Sequence, residues 1–148
     1  MFKNILIPTD GSKLSQKAAV QGVKLAKSLG AKVTALFAAP PATPIVYSGD
    51  SLPIGYASPG DHAQMIKRTA AKNLDFVARE AKKARVRFEA VQVTSDYPEE
   101  DILKVAKKKK CDLIVMGTQG QSGLRGAFIG SVTRKVLDKS KIPVMVLR

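Results

Sequence analysis

The sequence predicts an α/β fold: a single doubly wound, five-stranded parallel sheet with strand order 3-2-1-4-5 and helices on both faces. Short apolar segments alternate with longer amphipathic segments along the chain, an alternation typical of strands joined by right-handed helical crossovers. Three of the short segments, Ile5–Ile7, Leu113–Met116 and Val144–Leu147, are apolar throughout, as strands are when helices cover both of their faces. The length of 148 residues predicts one domain spanning residues 1–148.

The first half of the chain is predicted to contain two strands and two helices. In chain order these are strand Lys3–Pro8, helix Leu14–Leu29, strand Lys32–Ala39 and helix Asp61–Ala84. Each helix carries small and apolar residues on one stripe at helical spacing. The stripes are Ala18, Gly22, Leu25, Ala26 and Leu29 in the first helix and Ile66, Ala70, Leu74, Val77 and Ala81 in the second. Prolines and glycines between the second strand and the second helix predict an irregular loop at Pro40–Gly60.

The second half is predicted to add three strands and two helices. They are strand Arg87–Val93, helix Glu99–Lys109, strand Asp112–Met116, helix Ser131–Ser140 and strand Pro143–Leu147. Acidic residues occupy the first turn of the helix that begins at Glu99, where carboxylates interact favourably with the helix dipole. The apolar residues of the strand that begins at Arg87 are interrupted by Glu89 and Gln92, so this strand is predicted to lie at an edge of the sheet.

The composition predicts a cytoplasmic protein with no membrane partner. The chain has no run of about 18 apolar residues, the length of a membrane span, and we expect no apolar leader with a small-residue cleavage site. The single Cys111 cannot form an internal disulfide, which agrees with a reducing compartment. We interpret Cys111 as a small apolar residue at the start of a strand, with a reactive thiol as the alternative.

The formal net charge of +13 has two interpretations. One is a solvated basic face, since Lys107–Lys110 lies at the end of a predicted helix, where cations offset the helix dipole. The other is weak binding of a polyanion such as nucleic acid. No Lys/Arg run is interleaved with aromatic residues, and no zinc-finger spacing is present. The solvated face is therefore favoured, and nucleic acid remains a weak alternative partner.

Two polar, glycine-bearing loops follow strands that are neighbours in the predicted sheet. Thr9–Ser12 follows the first strand, and the Gly-rich stretch Gly117–Ser131 follows the fourth and opens onto a helix. In doubly wound sheets, ligands bind beyond the carboxyl ends of the strands where the strand order reverses, and that point lies between these two strands. Glycine lets the backbone approach phosphate oxygens, and a helix N-terminus favours negative charge. The sequence therefore predicts a nucleotide-binding site where the two loops converge.

The glycine spacing of this stretch carries a family resemblance. Residues 117–131 follow the pattern G-x2-G-x9-G-S, which resembles the G-x2-G-x9-G-[S/T] motif of the ATP-binding branch of the universal stress protein family. Ile5–Ser12, Asp112–Thr118 and Ile142–Val146 are similar to that family's first strand and loop, fourth strand and closing strand. The resemblance covers nearly the whole chain except Pro40–Gly60. It implies a stress-response regulatory protein that binds an adenine nucleotide, ATP or AMP/ADP. Because the glycine loop and Asp10 have no carboxylate cluster nearby, we expect Mg²⁺ to be held through the phosphates.

The resemblance also implies a role for each matching position. The adenosine contacts implied are Asp10 for the ribose hydroxyls or the adenine edge, Ala38 beside the base, and Met116 and Gly117 beside the ribose. The phosphate contacts implied are Gly120, Gly130, Ser131 and the N–H of Val132. The set is completed by Pro8, Thr9, Thr118 and Gln121. A short carboxylate suits a diol, and a serine at a helix N-terminus offers both a hydroxyl and an N–H. We also expect an unusual backbone angle at Gly130, one that valine would resist.

Other interpretations of these residues stay open. Asp10 and Ser131 can be helix caps, with the glycines serving only as turns. An enzyme of the same fold, such as a nucleotidyl transferase or ATP pyrophosphatase, needs groups that activate a nucleophile, and neither loop contains His or a dense carboxylate cluster. We therefore assign no catalytic residue and no protein-held metal, and expect at most slow ATP hydrolysis. Gln121 stands where a basic residue would add phosphate affinity, so the preference between ATP and AMP is open.

The predicted strand order leaves the fifth strand at an edge of the sheet. Val144–Leu147 is apolar throughout, with Lys141 before it and Arg148 after it. An apolar edge offers unpaired backbone groups to another strand. The sequence therefore predicts a homodimer in which the fifth strands pair antiparallel about a two-fold axis, an interface that the resemblance also implies. The alternative is that a loop covers this edge, with Pro40–Gly60 as the candidate.

Overall fold

The computed structural model describes residues 1–39, 47–48, 52–53, 59–119 and 129–148. Its strands are β1 (Asn4–Pro8), β2 (Lys32–Ala39), β3 (Tyr47–Ser48), β4 (Leu52–Pro53), β5 (Phe88–Thr94), β6 (Leu113–Gly117) and β7 (Val144–Leu147). Its helices are α1 (Lys13–Leu29), α2 (Pro59–Ala84), α3 (Pro98–Lys108) and α4 (Ser131–Lys139). Every strand and helix predicted from the sequence is present, and the predicted ends are correct to within two residues.

The main sheet has five strands in the order β5-β2-β1-β6-β7. All neighbouring strands in it are parallel. Because β3 and β4 form a separate two-stranded antiparallel sheet, the order of the main strands is the predicted 3-2-1-4-5. The predicted fold class is confirmed, and the edges of the sheet are β5 and β7, as the two edge predictions require.

The segment predicted as an irregular loop, Pro40–Gly60, contains some regular structure. β3 and β4 pair within it, and α2 begins at Pro59 instead of Asp61. The prediction was wrong at these positions because proline was interpreted only as a loop residue. Proline is well accepted at the first position of a helix, where the N–H that it lacks would have no intrahelical acceptor. The other residues of this segment lie outside the described part of the chain.

Hydrophobic cores lie on both faces of the sheet. Successive strand residues point to opposite faces, so each strand contributes to both cores. The core under α1 and α2 contains Ile5, Ile7, Val33, Val115, Val23, Ala26, Val77 and Ala81. The core under α3 and α4 contains Leu6, Leu36, Ile114, Met116, Ile102, Val105 and Val136. This burial on both faces is the reason that the central strands are apolar at every position.

Gly22 lets α1 approach the sheet closely. A Cβ at this position would lie 2.7 Å from Cδ1 of Ile7 and 3.3 Å from Cγ1 of Val115. Both of those side chains are fully buried, so a larger residue would have to displace the core. The glycine on the predicted inward stripe of α1 is therefore explained by packing.

The helices are amphipathic and not apolar on all sides. α2 spans 26 residues and buries Ala70, Val77 and Ala81, while Lys67 and Lys72 are exposed. Within the described ranges, no helix combines the length and the apolar character that crossing a membrane requires.

Cys111 lies just before β6 and packs in the core under α3 and α4. It is buried, and burial raises the pKa of its thiol. Since the thiolate is the reactive form, a raised pKa disfavours reaction at neutral pH. The structure supports the interpretation of Cys111 as a small core residue.

Candidate functional site

The carboxyl ends of β1 and β6 and the start of α1 lie next to one another. Gly117, the last residue of β6, packs directly against the first turn of α1. A Cβ on Gly117 would lie 3.2 Å from both the carbonyl carbon and the carbonyl oxygen of Leu14. The absence of a side chain at Gly117 therefore lets the β1–α1 connection and the end of β6 meet, at the point where the strand order reverses.

Side-chain hydrogen bonds hold the turn between β1 and α1. Oδ1 of Asp10 accepts a hydrogen bond from the N–H of Ser12 at 2.9 Å, and Oγ1 of Thr9 accepts one from the N–H of Gly11 at 3.3 Å. Oγ of Ser12 accepts one from the N–H of Ser15 at 3.2 Å, which makes Ser12 the N-cap of α1. Asp10 therefore shapes the turn but does not cap the helix.

Gly11 has a left-handed backbone, with φ +80°, that non-glycine residues rarely adopt. It also lies directly against the side chain of Asn73 on α2. A Cβ on Gly11 would lie 2.5 Å from Oδ1 and 2.7 Å from Nδ2 of Asn73. The backbone angle and the lack of room for a side chain both require glycine here. The contact between Gly11 and Asn73 also brings α2 to the candidate site.

Asn73 is a residue of this region that the sequence prediction missed. It is 8% exposed, and its Nδ2 is buried with no hydrogen-bond partner among the described residues. It lies three residues after Ala70 and four before Val77, on the inward stripe of α2. A polar residue at an inward position was the signal that could have identified it.

The start of α4 is attached to the end of β6 by two hydrogen bonds. The N–H of Gly130 donates to the carbonyl oxygen of Thr118 at 2.7 Å, and Oγ1 of Thr133 donates to that of Gly117 at 2.9 Å. α4 begins at Ser131, and Gly130 is its N-cap without a side-chain cap. Ser131 is therefore not the cap, so neither of the residues considered as caps has that role.

The backbone of Gly130 is ordinary. Its φ of −62° and ψ of 157° lie in the extended region that any residue adopts. The expectation of an unusual angle at Gly130 was wrong. What glycine provides at this position is the absence of a side chain at the first turn of α4.

The other predicted positions fall at strand ends and in the core. Pro8 ends β1, and Ala38 is the penultimate residue of β2; both are half-buried. The side chain of Met116 is buried under α3 and α4, so only its backbone is available to a ligand. The side chain of Val132 packs against the same core. Gly120 and Gln121 lie outside the described residues.

An ion pair joins α3 to α4 near the site. Nζ of Lys135 lies 3.0 Å from Oε1 of Glu99, and Glu99 is buried. A hydrogen bond from its own backbone N–H, together with Lys135, holds the pKa of Glu99 below its usual value, although burial acts in the opposite direction. The pair restrains the orientation of α4, whose first turn adjoins β6.

The described residues do not form a protein cage for a metal. No group of three or more His, Cys, Asp or Glu side chains in that part of the chain could hold a metal ion. Asp10 is the one carboxylate in the turn Thr9–Ser12. Among the described residues of this region, the first backbone N–H groups of α4 have no intrahelical acceptor and can donate to an anion.

A sequence profile of the Universal stress protein family matches residues 1–148. The chain belongs to this family. It is 32% identical to Universal stress protein MJ0531 of Methanocaldococcus jannaschii, over 100% of this chain and 83% of that protein. It is also 32% identical to Universal stress protein YxiE of Bacillus subtilis, over 100% of both.

A solved structure of the universal stress protein family shares the fold of this chain. It is a universal stress protein in complex with cAMP, with a TM-score of 0.72 and 26% identity, covering 99% of this chain and 97% of that one. The resemblance of the sequence to the universal stress protein family is thus confirmed in both sequence and structure.

Proposed function

We propose that this member of the universal stress protein family binds an adenine nucleotide beyond the carboxyl ends of β1 and β6 and acts as a stress-response regulatory protein. The observation that carries the proposal is the meeting of the β1–α1 turn with the end of β6 and the start of α4 where the strand order reverses. Open α/β sheets bind ligands at this point. The relative solved with cAMP supports the same ligand class. A cytoplasmic location remains a prediction from the composition.

In this proposal, the adenosine portion lies at the β1–α1 turn and the phosphates lie at α4. Asp10 accepts hydrogen bonds from the ribose hydroxyls or the adenine edge. The N–H groups of Ser131 and Val132 belong to the first helical turn, which has no intrahelical acceptors, and the helix dipole attracts anions there. Gly120 and Gln121 are proposed to complete the phosphate contacts.

We propose ATP with Mg²⁺ as the ligand, with AMP or ADP as alternatives. Mg²⁺ is usually bound through substrate phosphates, water and one or two carboxylates. Since the described residues offer no cluster of three metal-binding side chains, the ion would be held mainly by phosphate oxygens. When bound, it neutralises phosphate charge.

A regulatory role fits the turn residues better than an enzymatic role. Catalysis of group transfer needs a base within reach of the nucleophile. The turn Thr9–Ser12 contains no His, and Oδ1 of Asp10 already accepts the N–H of Ser12. At most slow ATP hydrolysis is expected. A nucleotidyl-transferase-like enzyme is the alternative, and steady release of pyrophosphate from ATP would favour it.

Titration calorimetry with ATP and Mg²⁺ tests the proposal. We expect a dissociation constant below about 1 mM, a generous ceiling for a functional site. Asp10→Ala should weaken binding by about 1–3 kcal/mol, the scale for losing hydrogen bonds to a charged group. Asp10→Asn is the matched control, because it keeps an oxygen for the N–H of Ser12 while removing the charge. No heat and no thermal shift with ATP, ADP or AMP would contradict the proposal.

We also propose a homodimer that forms through β7. This strand is at an edge of the sheet, and its Met145 is 39% exposed. A strand edge without a neighbour offers backbone N–H and carbonyl groups to another strand. A second copy of the same strand satisfies them in antiparallel orientation about a two-fold axis.

Weak binding of nucleic acid is a second candidate function, favoured by the distribution of charge. Helices end, and parallel strands begin, at the same end of this sheet. Exposed cations gather there, and we call them the basic end: Lys3, Lys27, Lys82, Lys83, Arg85, Arg87, Lys107, Lys108, Lys110, Lys139 and Lys141. Arg85 and Lys110 have positive φ angles of 56° and 53°, at helix ends where glycine is usual. These two positions therefore carry a positive charge, although glycine would adopt the same backbone angle with less strain.

A short fluorescent DNA duplex tests this second function. At about 50 mM salt we expect binding, and at about 200 mM a loss of tenfold or more, because phosphate contacts release counterions. The double variant Lys107→Glu/Lys108→Glu should lose DNA binding and keep ATP binding, since these residues lie at the opposite end of the sheet from Asp10. DNA binding that is absent at low salt would exclude this function.

A further inference from the structure

Asn73 occupies an inward position where an apolar residue would be better for the fold. It lies between Ala70 and Val77, which are both fully buried. Its own Nδ2 is buried with no hydrogen-bond partner in the described part of the chain. An unpaired buried amide destabilises the fold, whereas leucine has nearly the same shape and leaves no polar group unpaired. A residue that is unfavourable for the fold indicates a function.

The unpaired amide lies beside the region proposed for adenosine. A Cβ on Gly11 would lie 2.7 Å from Nδ2 of Asn73, so the amide is directly against the turn that carries Asp10. One turn earlier in α2, Ala70 belongs to a buried cluster with Ala39, the last residue of β2. Asn73 therefore lies against the turn proposed for the ribose, and the preceding turn of α2 lies against the strand end proposed for the base.

We propose that Asn73 is a specificity-determining residue of the nucleotide site. Its Nδ2 donates a hydrogen bond to an acceptor on the adenosine portion of the ligand, either a ring nitrogen of the base or a ribose oxygen. This inference rests on the proposed nucleotide function. A bound acceptor satisfies the buried donor, whereas a ligand without that acceptor leaves it unpaired and binds more weakly.

Asn73→Leu tests this assignment, because leucine keeps the volume and removes the donor. We expect the variant to bind AMP and ATP about tenfold more weakly, the loss of one hydrogen bond. The factor should be the same for both ligands, since they share the adenosine portion. Without nucleotide, the variant should melt at or above the wild-type temperature, because a buried unpaired donor has been removed. Calorimetry and thermal unfolding measure the two quantities.

Asn4→Leu is the matched control at the opposite end of the sheet. Asn4 is also buried, at 6% exposure, but its amide is satisfied. Its Nδ2 donates to the carbonyl oxygen of Lys109 at 2.9 Å, and its Oδ1 accepts from Oγ1 of Thr34 at 3.0 Å. Leucine at this position should lower the melting temperature and leave the affinity for AMP and ATP unchanged.

The possible failures are distinguishable. If the wild-type protein binds both nucleotides and Asn73→Leu binds them equally well, the assignment of Asn73 is wrong and the proposed function stands. A variant that melts at a lower temperature and keeps its affinity would make Asn73 a structural residue of the turn. If the leucine variant does not fold, Asn73→Ala provides the same affinity comparison. A wild-type protein that binds no adenine nucleotide would overturn both the function and this inference.

Discussion

Gly130→Val is expected to weaken ATP binding by about a hundredfold or more, the loss of at least two hydrogen bonds to charged oxygens, while the fold survives. The fold should survive because Gly130 has φ −62° and ψ 157°, a conformation that valine adopts readily. Binding should fail because the branched side chain would stand at the start of α4, where the N–H groups of Ser131 and Val132 are proposed to meet phosphate. Circular dichroism and calorimetry measure the two outcomes.

A graded series at Gly130 separates obstruction from helix capping. Gly130→Ser adds a side chain that can cap α4, so it should leave the helix as stable as in the wild type. Its ATP affinity should still lie between those of the wild-type protein and Gly130→Val. Across this series of variants, the affinity for AMP should fall less than the affinity for ATP, because AMP has fewer phosphates. If Gly130→Val retains both its native spectrum and full ATP affinity, the phosphates do not lie at α4.

The fold was predictable because strands that are buried on both faces have apolar residues at consecutive positions. β1, β6 and β7 are apolar in consecutive positions, and β5 is interrupted by Glu89 and Gln92. In the structure, Glu89 forms ion pairs with Lys32 and Lys109, whose hydrogen bonds hold the pKa of Glu89 below its usual value. The three side chains in these pairs are each about one-third exposed, at 31–34%. The polar residues of that strand therefore predicted its edge position.

The candidate site was predictable only where its residues are neighbours in sequence. The turn after β1 and the Gly-rich segment after β6 can each be recognised from their amino-acid composition. Asn73 is contributed by a helix distant in the chain, and its relation to Gly11 depends on how α2 packs across the sheet. The backbone of Gly130 was mispredicted because glycine is used both for positive φ and for the absence of a side chain. Sequence alone does not distinguish these two uses.

The other large effect is expected at β7, the edge strand on the far side of the sheet from β5. Val146→Pro in this strand should convert the proposed homodimer into a monomer. The carbonyl oxygens of Pro143 and Leu147 accept hydrogen bonds from Ile114 and Thr118, on the β6 side. Because backbone direction alternates along a strand, the N–H of Val146 faces the free edge. Proline there removes a donor from the proposed intermolecular ladder and spares the pairing of β7 with β6.

Val146→Thr is the matched control, because threonine keeps the N–H and the branched shape that suits a strand. It should remain a dimer by light scattering at roughly tens of micromolar, a concentration that must be equal in all samples because dimerisation follows mass action. Val146→Pro should scatter as a monomer and keep its ATP affinity, since β7 holds none of the proposed ligand contacts. A wild-type protein that is monomeric at this concentration would refute the dimer. A dimer that persists in the proline variant would place the interface elsewhere.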